Sequence, residues 1–430
     1  LERVPQWVER YVRAKPSYDL PANVEPAPYY AANDSSWDRA RYRAAGEALL
    51  REGKVACFTV AGGQGSRLGF DGPKGCYPAG AVTGKPLFQV FAEGIRATGA
   101  QYGKTPPWYI MTSPLNHEAT VAFFHEHDHF GLDPDAVSFF EQGAMPSFDL
   151  RTARILLAEK GRVATNPDGH GGALKALVKS GAIADMTSRG VEHISYFQVD
   201  NPTVRVADPL FLGLHATAPD SSGEMSSKMI PKAYAEEKLG LFCAVDGKVG
   251  VIEYSDLPME RQRETTPDGR LRFLAGSIAI HAMSVAFVEK LGGDTEFALP
   301  FHRAEKKVPC VDPETGAPTQ PAEPNGIKLE QFVFDALDFC EQSIVLETDR
   351  VEEFAPIKNA EGNDSPETSA RFQTRKATRW LVAAGVKVPR DADGEPDCTL
   401  EIGPLTALDA DDLKAAELPN QIEPGARLAL

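Results

Sequence analysis

The stretch Val55–Tyr77, reading VACFTVAGGQGSRLGFDGPKGCY, constrains this chain more than any other segment. Its first six residues are apolar, rich in strand formers and bounded by Gly53 and Gly62, the pattern of a buried strand in a parallel sheet. Such a strand delivers the following loop at its carboxyl end, the edge of an open α/β sheet where ligands bind. Gly62, Gly63 and Gly65 allow positive φ and remove Cβ atoms, so the loop can approach a ligand and turn its N–H groups toward anionic oxygens. Arg67 adds a fixed cation and Lys74 a mobile one. The G-x-x-x-x-G-K-[ST] spacing of a Walker A loop is absent, and Gly63-Gln64-Gly65-Ser66-Arg67-Leu68 lacks the third glycine of the dinucleotide fingerprint. A bare G-G-x-G describes an ordinary βα turn, whereas the addition of Arg67 and Pro73-Lys74 favours the floor of a nucleoside triphosphate site.

At 430 residues the chain is long enough for two or three domains, or one large α/β domain with appendages. Strand-like runs at Trp108–Thr112, Val137–Phe140 and Ile194–Val199 alternate with helix-like ones, which implies a doubly wound sheet. Asp246-Gly247 before Lys248–Tyr254 reads as a hairpin turn, so a mixed sheet is expected. Residues 1–50, with prolines at 16, 21, 26 and 28 and a helix capped at Ser35-Ser36-Trp37-Asp38, read as an N-terminal helical lobe. Residues 51–345 form the nucleotide-binding α/β domain. After Val345 the chain turns polar, with a break at Asn363–Pro366 and a helix from about Thr368 to Ala384, so 346–430 reads as a small C-terminal lobe.

The net charge of -16 argues against a general nucleic-acid binder or a sensor of anionic membranes. No apolar run approaches the roughly 20 residues of a membrane span, and the charged N-terminal stretch is unlike a secretory signal. Leu1 in place of methionine hints at an omitted start. Six cysteines without a C-x-x-C pair suit reduced thiols in a cytoplasm. His125-Glu126-His127-Asp128-His129 looks metal-rich, with His125 and His129 four apart on a probable helix end, but it is set aside as a zinc site.

Gly62–Gly69 followed by Gly72-Pro73-Lys74-Gly75 resembles the signature of the UTP:sugar-1-phosphate uridylyltransferases, most closely the UDP-N-acetylhexosamine pyrophosphorylase branch. The resemblance continues in order through Asn166-Pro167-Asp168-Gly169-His170-Gly171-Gly172, Val199-Asp200-Asn201, Glu253-Tyr254-Ser255, Lys306-Lys307-Val308-Pro309, Pro324–Asp335 and Pro356–Ala360. It implies a Rossmann-like, GT-A-like nucleotidyltransferase core and a soluble enzyme that is a monomer or weak homo-oligomer. UTP and a sugar 1-phosphate are the implied partners, with Mg²⁺ as cofactor.

By that resemblance Ala61, Gly62, Gly63, Gln64, Gly65, Gln142, Gly169 and Lys328 bind the nucleotide. Gln142 has an amide that matches uracil's neighbouring acceptor and imide donor. Asp200, at the end of a strand, is the expected magnesium ligand, since Mg²⁺ takes one or two carboxylates together with phosphates and waters. Asp208, before Pro209, is favoured as a helix cap. Arg67, Lys74 and Lys358 are the implied catalytic cations. His170, Glu253, Tyr254, Ser277, Phe332 and Phe334 are the implied sugar wall; by residue type alone Tyr254 and the phenylalanines, Phe339 included, suit a core.

Two positions depart from the N-acetylhexosamine branch. His170 stands where Asn is usual, and Ser277 where a second Asn is usual, whereas Gly171-Gly172, Phe332 and Phe334 agree with it. The expected reaction is attack of a sugar 1-phosphate oxygen on the α-phosphorus of UTP, with N-acetylglucosamine 1-phosphate as the expected acceptor. Glucose 1-phosphate, or several sugar phosphates, is the alternative acceptor. A nucleotide-sugar binder of the glycosyltransferase type is the alternative of another class, but it wants a D-x-D after a strand, and Asp391-Ala392-Asp393 lies in a polar turn.

Overall fold

The computed structural model describes residues 3–14, 20–294, 297–312 and 314–430. Its centre is a ten-stranded mixed sheet. The strands His193–Gln198, Val55–Val60, Trp108–Thr112 and Val137–Glu141 run side by side and parallel. The long strand Ala275–Ser284 then pairs antiparallel with His193–Gln198, and Met225–Pro231 pairs antiparallel beyond it. The hairpin Leu241–Val245/Lys248–Ile252 turns at Asp246 and Gly247, whose φ values of 50° and 83° are those of the tight turn read from the sequence.

The apolar run at Val55 divides its side chains between two cores. Val55 and Cys57 join the cluster formed with Leu87, Phe88, Phe91, Phe124 and Phe211, whereas Ala56 and Phe58 face Leu174, Leu177, Met186 and Leu291 on the other side. Alternate residues therefore meet helices on both faces, which is why the strand is apolar throughout. All four lie at 0–1 % exposure.

The segment read as an N-terminal lobe is shared among three places. Residues 4–13 form short helical turns against Phe301, through Trp7 and Tyr11. Val24–Pro26 is an edge strand of the large sheet, paired with Leu241–Val245. The helix Arg39–Glu52, capped by Asp38 accepting from the N–H of Arg41, lies on the helix Pro209–Thr217. At the other end, residue 345 falls at the start of a strand, Val345–Glu347, that pairs with Met225–Pro231 in the same large sheet. The C-terminal unit has its own apolar cluster, built by the helix Pro366–Ala383 and the parallel strands Thr399–Glu401 and Arg427–Ala429.

The crossing of Arg39–Glu52 with Pro209–Thr217 rests on two glycines. A Cβ on Gly46 would lie 1.8 Å from the carbonyl oxygen of Pro209, and one on Gly213 would lie 1.8 Å from that of Tyr42. Alanine at Gly46 gains roughly 1 kcal/mol of helix propensity. The forced separation of two backbones is expected to outweigh this and cost about 3 kcal/mol. Gly46→Ala and Gly213→Ala should each lower the urea midpoint; a midpoint at or above the wild-type value would contradict the backbone contact.

Candidate active site at the carboxyl ends of the parallel strands

The glycine-rich loop leaves the strand Val55–Val60 and folds back on itself. Lys74 N–H donates to Gly63 O at 3.1 Å, and Gly65 N–H to Gly72 O at 2.9 Å. Asn116, on the loop after the neighbouring strand, donates to Ala61 O at 2.9 Å and Gly63 O at 3.2 Å, and Gln64 donates to Leu115 O. Among the described residues no main-chain acceptor meets the N–H groups of Gly62, Gly63 or Gln64. The loop is thus anchored through its carbonyls while its donors stay available, the condition for an anion cradle.

The positive φ values expected at Gly62, Gly63 and Gly65 are not there; Gly69 and Gly72 carry them instead, at 68° and 148°. Gly62 and Gly65 are required for space. A Cβ on Gly62 would lie 2.7 Å from Gln142 Oε1, and one on Gly65 would lie 2.7 Å from the Phe70 ring. Gln142, buried just past the strand Val137–Glu141, is therefore brought directly against the loop.

Asp200 follows the strand His193–Gln198, which pairs in register with Val55–Val60, so both loops emerge together. Lys74 Nζ stands 3.6 Å from Asp200 Oδ2, and both side chains are largely buried. Asp200 O accepts from Ile357 N–H at 2.8 Å. Asn201 donates to Glu353 O at 2.7 Å and accepts from Ala355 N–H at 3.1 Å. These bonds bring Lys358 to the same cleft, which Asp200, Asn201, Ser277, Ala279, Phe354 and Lys358 line together. Lys358 Nζ is 3.7 Å from Asp364 Oδ2. Ala279 holds a φ of 55° in this wall, in the stretch where the pairing with Met225–Pro231 slips register. Such backbone costs on the order of 1–3 kcal/mol and persists where surroundings enforce it.

Asp200 is a single carboxylate beside Lys74, with Lys358 lining the same cleft. Among the described residues no three His, Cys, Asp or Glu side chains gather to hold a metal by themselves. A lone carboxylate suits Mg²⁺, which keeps waters and shares phosphate oxygens, better than a tightly caged metal. His125 and His129 do not share a helix as the sequence suggested: the helix His117–Glu126 ends first, and Asp128, His129 and Phe130 all take positive φ.

The turn Asp168–Gly172 docks on the strand end at Glu330–Val333. Gln331 N–H donates to Asp168 O and Gly171 N–H to Gln331 O, each at 2.8 Å. A Cβ on Gly169, whose φ is 85°, would strike Gln331 O at 2.4 Å. His170 Nδ1 accepts the N–H of Val333 at 3.1 Å, which leaves Nε2 as the protonated nitrogen of the neutral ring. Burial, with His302 nearby, holds His170 down at about 4, so it is neutral at physiological pH.

Two imidazoles stack on the half-buried Phe332 ring. His170 stacks on it at 5.2 Å and 12°, and His302 at 4.2 Å and 22°. Phe334 closes on His170 at 5.9 Å. Glu253, at the end of Lys248–Ile252, is buried enough to raise its carboxyl above the ordinary value. Tyr254, suited by residue type to the core, is exposed, as is Phe339. Lys328 lies half-buried on Gly326–Glu330, and Arg67 is exposed; among the described residues neither makes an ion pair.

The sequence reading missed Asn201, whose amide ties the Asp200 loop to the Lys358 segment, and His302 with Asp335. It also left Asp168 unassigned and gave Asp208 only a cap. Asp208 does accept from Leu210 N–H, yet it also meets buried Lys228 at 2.7 Å.

A family model described as UTP–glucose-1-phosphate uridylyltransferase matches residues 23–366. The UDP-N-acetylglucosamine pyrophosphorylase of Saccharomyces cerevisiae is 38 % identical over 389 residues, covering 88 % of this chain and 81 % of its own. The UDP-N-acetylhexosamine pyrophosphorylase-like protein 1 of Homo sapiens is 38 % identical over 425 residues, covering 93 % and 82 %. The solved uridine diphosphate N-acetylglucosamine pyrophosphorylase of Trypanosoma brucei, in complex with an inhibitor, superposes with a TM-score of 0.79 at 28 % identity, covering 91 % of this chain and 82 % of that one.

Asp168 supplies a test of the site's electrostatics. Its Oδ1 is buried without a partner, and burial pushes the carboxyl up to about 6. A folded-state value above the ordinary one means that the folded protein holds the proton more tightly. That contribution is present below about pH 4 and is lost as pH rises from there to about 6. Asp168→Asn should match the wild type in urea stability near pH 4.5 and exceed it by about 1–2 kcal/mol at pH 7.5. An equal gap at both pH values would contradict the assignment.

Proposed function

The chain belongs to the UTP–glucose-1-phosphate uridylyltransferase family, and we propose that within it this protein joins UTP to N-acetylglucosamine 1-phosphate, releasing pyrophosphate. The observation that carries the site assignment is the convergence of the glycine loop, Gln142 and the Lys74–Asp200 pair at one end of the parallel strands. The preference for an N-acetylhexosamine is supported by relatives of that name at 38 % identity, and by Gly171-Gly172, Phe332 and Phe334.

In this reading the free N–H groups of Gly62, Gly63 and Gln64 and the cations Arg67 and Lys74 hold the β- and γ-phosphates, while Gln142 reads the uracil edge. Gly169 gives backbone room for the nucleoside. Lys328 and Lys358 hold the nonbridging oxygens of the sugar phosphate. One oxygen of that phosphate attacks the α-phosphorus in line; the new P–O bond forms as the bond to the β-phosphate oxygen breaks, and pyrophosphate carries the electron pair away. Positioning and neutralisation of charge supply most of the acceleration.

Asp200 would hold Mg²⁺, which when bound supplies positive charge to the phosphate oxygens. Lys74 Nζ lies 3.6 Å from Asp200 Oδ2. Its ammonium is then already beside the place where leaving-group charge develops. Glu253 accepts hydroxyl protons of the sugar, and Tyr254 borders that site from its exposed position. The six unpaired cysteines support a reducing compartment such as the cytoplasm. Among the described residues no helix is long and apolar enough to cross a membrane.

A second reading is favoured by two residues. Ser277 lines the cleft where the branch carries a longer amide, and His170 offers an imidazole N–H where it carries Asn, so glucose 1-phosphate or several sugar phosphates are the alternative acceptors.

Pyrophosphate release with UTP and the 1-phosphates of N-acetylglucosamine, N-acetylgalactosamine, glucose and galactose tests the assignment. N-acetylglucosamine 1-phosphate should give the highest kcat/KM; a glucose preference would select the second reading, and no release with any would refute the activity. Lys74→Ala should lower kcat by about 100-fold or more. Full turnover at saturating UTP would remove Lys74 from the mechanism.

A further inference from the structure

Outside the residues assigned above, a second imidazole stacks on Phe332 and meets a carboxylate, that of Asp335. His302 stands on the strand His302–Lys306, which pairs with Gly326–Glu330 so that His302 is opposite Glu330, two residues before Phe332. Its ring lies 4.2 Å from that of Phe332 at 22°. Its Nε2 is 2.8 Å from Asp335 Oδ2, on the helical turn that follows. The imidazole is one-third exposed, whereas the Asp335 carboxylate is mostly enclosed. One nitrogen is thus committed to a carboxylate, and among the described residues the other has no hydrogen-bond partner.

Three further groups are close enough to interact with this imidazole: Glu253, Asp256 and His170. Two of them stand in the proposed sugar wall. A structural histidine would be expected to satisfy both nitrogens or to point away from the cleft. Here the ring is held flat by stacking, its tilt is fixed by a carboxylate, and its remaining nitrogen has no hydrogen-bond partner among the described residues while the side chain is one-third exposed. This is the usual way to preorganise a directional contact to a ligand.

We propose that His302, oriented by Asp335 and by the Phe332 ring, is a further sugar-binding residue that contacts an acceptor hydroxyl alongside Glu253. This rests on the reading of His170, Glu253 and Phe332 as the sugar wall. Asp335 is a positioning residue in this scheme, since it acts through His302. The arrangement also gives Phe332 a second role: its ring stacks with both His170 and His302 and so holds the two imidazoles in the same part of the wall.

The surroundings of Glu253 provide a readout that a packing role would not move. Burial raises its carboxyl, His302 lowers it, and Asp256 and Asp335 raise it. Removing the imidazole should therefore raise it further. The acidic limb of kcat/KM for the sugar phosphate, where Glu253 gains its proton, should shift toward higher pH.

The test is steady-state kinetics of His302→Ala, His302→Gln and Glu253→Gln, with KM measured separately for N-acetylglucosamine 1-phosphate and for UTP between pH 5.5 and 8.5. His302→Ala should raise the sugar phosphate KM about tenfold while the UTP KM stays within about twofold, with the acidic limb moved upward. His302→Gln should recover part of the affinity but not the position of the limb. An unchanged UTP KM establishes that the variants are folded. If Glu253→Gln raises the sugar phosphate KM and both His302 variants do not, His302 is excluded while the wall stands. If Glu253→Gln and the His302 variants all leave that KM unchanged, the wall itself is misplaced.

Discussion

A buried ammonium group ties the parts of this structure together. Lys228, 1 % exposed, meets both oxygens of Glu353 at 2.6 and 2.7 Å and Asp208 at 2.7 Å. Glu353 belongs to the segment whose carbonyl receives the Asn201 amide, and that segment runs on to Lys358. Asp208 caps the helix Pro209–Thr217, on which the helix Arg39–Glu52 lies. Burial opposes ionisation of Asp208, but Lys228 and Arg205 outweigh it and hold its carboxyl well below the usual range. A charged group so enclosed is tolerated only with its partners in place. The loop carrying Asp200, the strand pairing near Ala279 and the segment that leads to Lys358 are therefore referred to one another through a single buried charge cluster.

The proposed chemistry is placed where the parallel strands end, because there several loops emerge side by side. Two strands in register, Val55–Val60 and His193–Gln198, bring a cationic loop and an acidic loop within 3.6 Å at Lys74 and Asp200. Adjacent strands add Asn116, which holds the carbonyls of the glycine loop, and Gln142, which rests on Gly62. The proposed sugar side is assembled differently. It uses the hairpin ending at Glu253, the Asp168–Gly172 turn and the strand leading to Phe332, three segments far apart in sequence.

That difference explains what was legible in the sequence. Val55–Val60 and the glycine loop are contiguous, so periodicity and composition revealed the strand, its burial and the place of the loop. The Asp246-Gly247 turn and the helix after Ser365 were equally local signals. The positive φ that Gly62 and Gly65 would allow is not used, because their constraint is a neighbour in space, Gln142 or Phe70, and not a local φ. Tyr254 was suited to the core by residue type, whereas its exposure depends on how the hairpin sits in the sheet. Asn201 and His302 carried no local signal, since their partners Glu353 and Asp335 are 152 and 33 residues away. Val24–Pro26 could not be seen as part of the large sheet for the same reason: it pairs with residues 243–245.

The most direct measurement of the central claim is a crystal structure of the protein with UTP and Mg²⁺. It should place the triphosphate against Gly62–Gly65 and Lys74, the ion on Asp200, and the uracil edge at Gln142. A nucleotide bound elsewhere, or with its base away from Gln142 and its phosphates away from the glycine loop, would contradict the account.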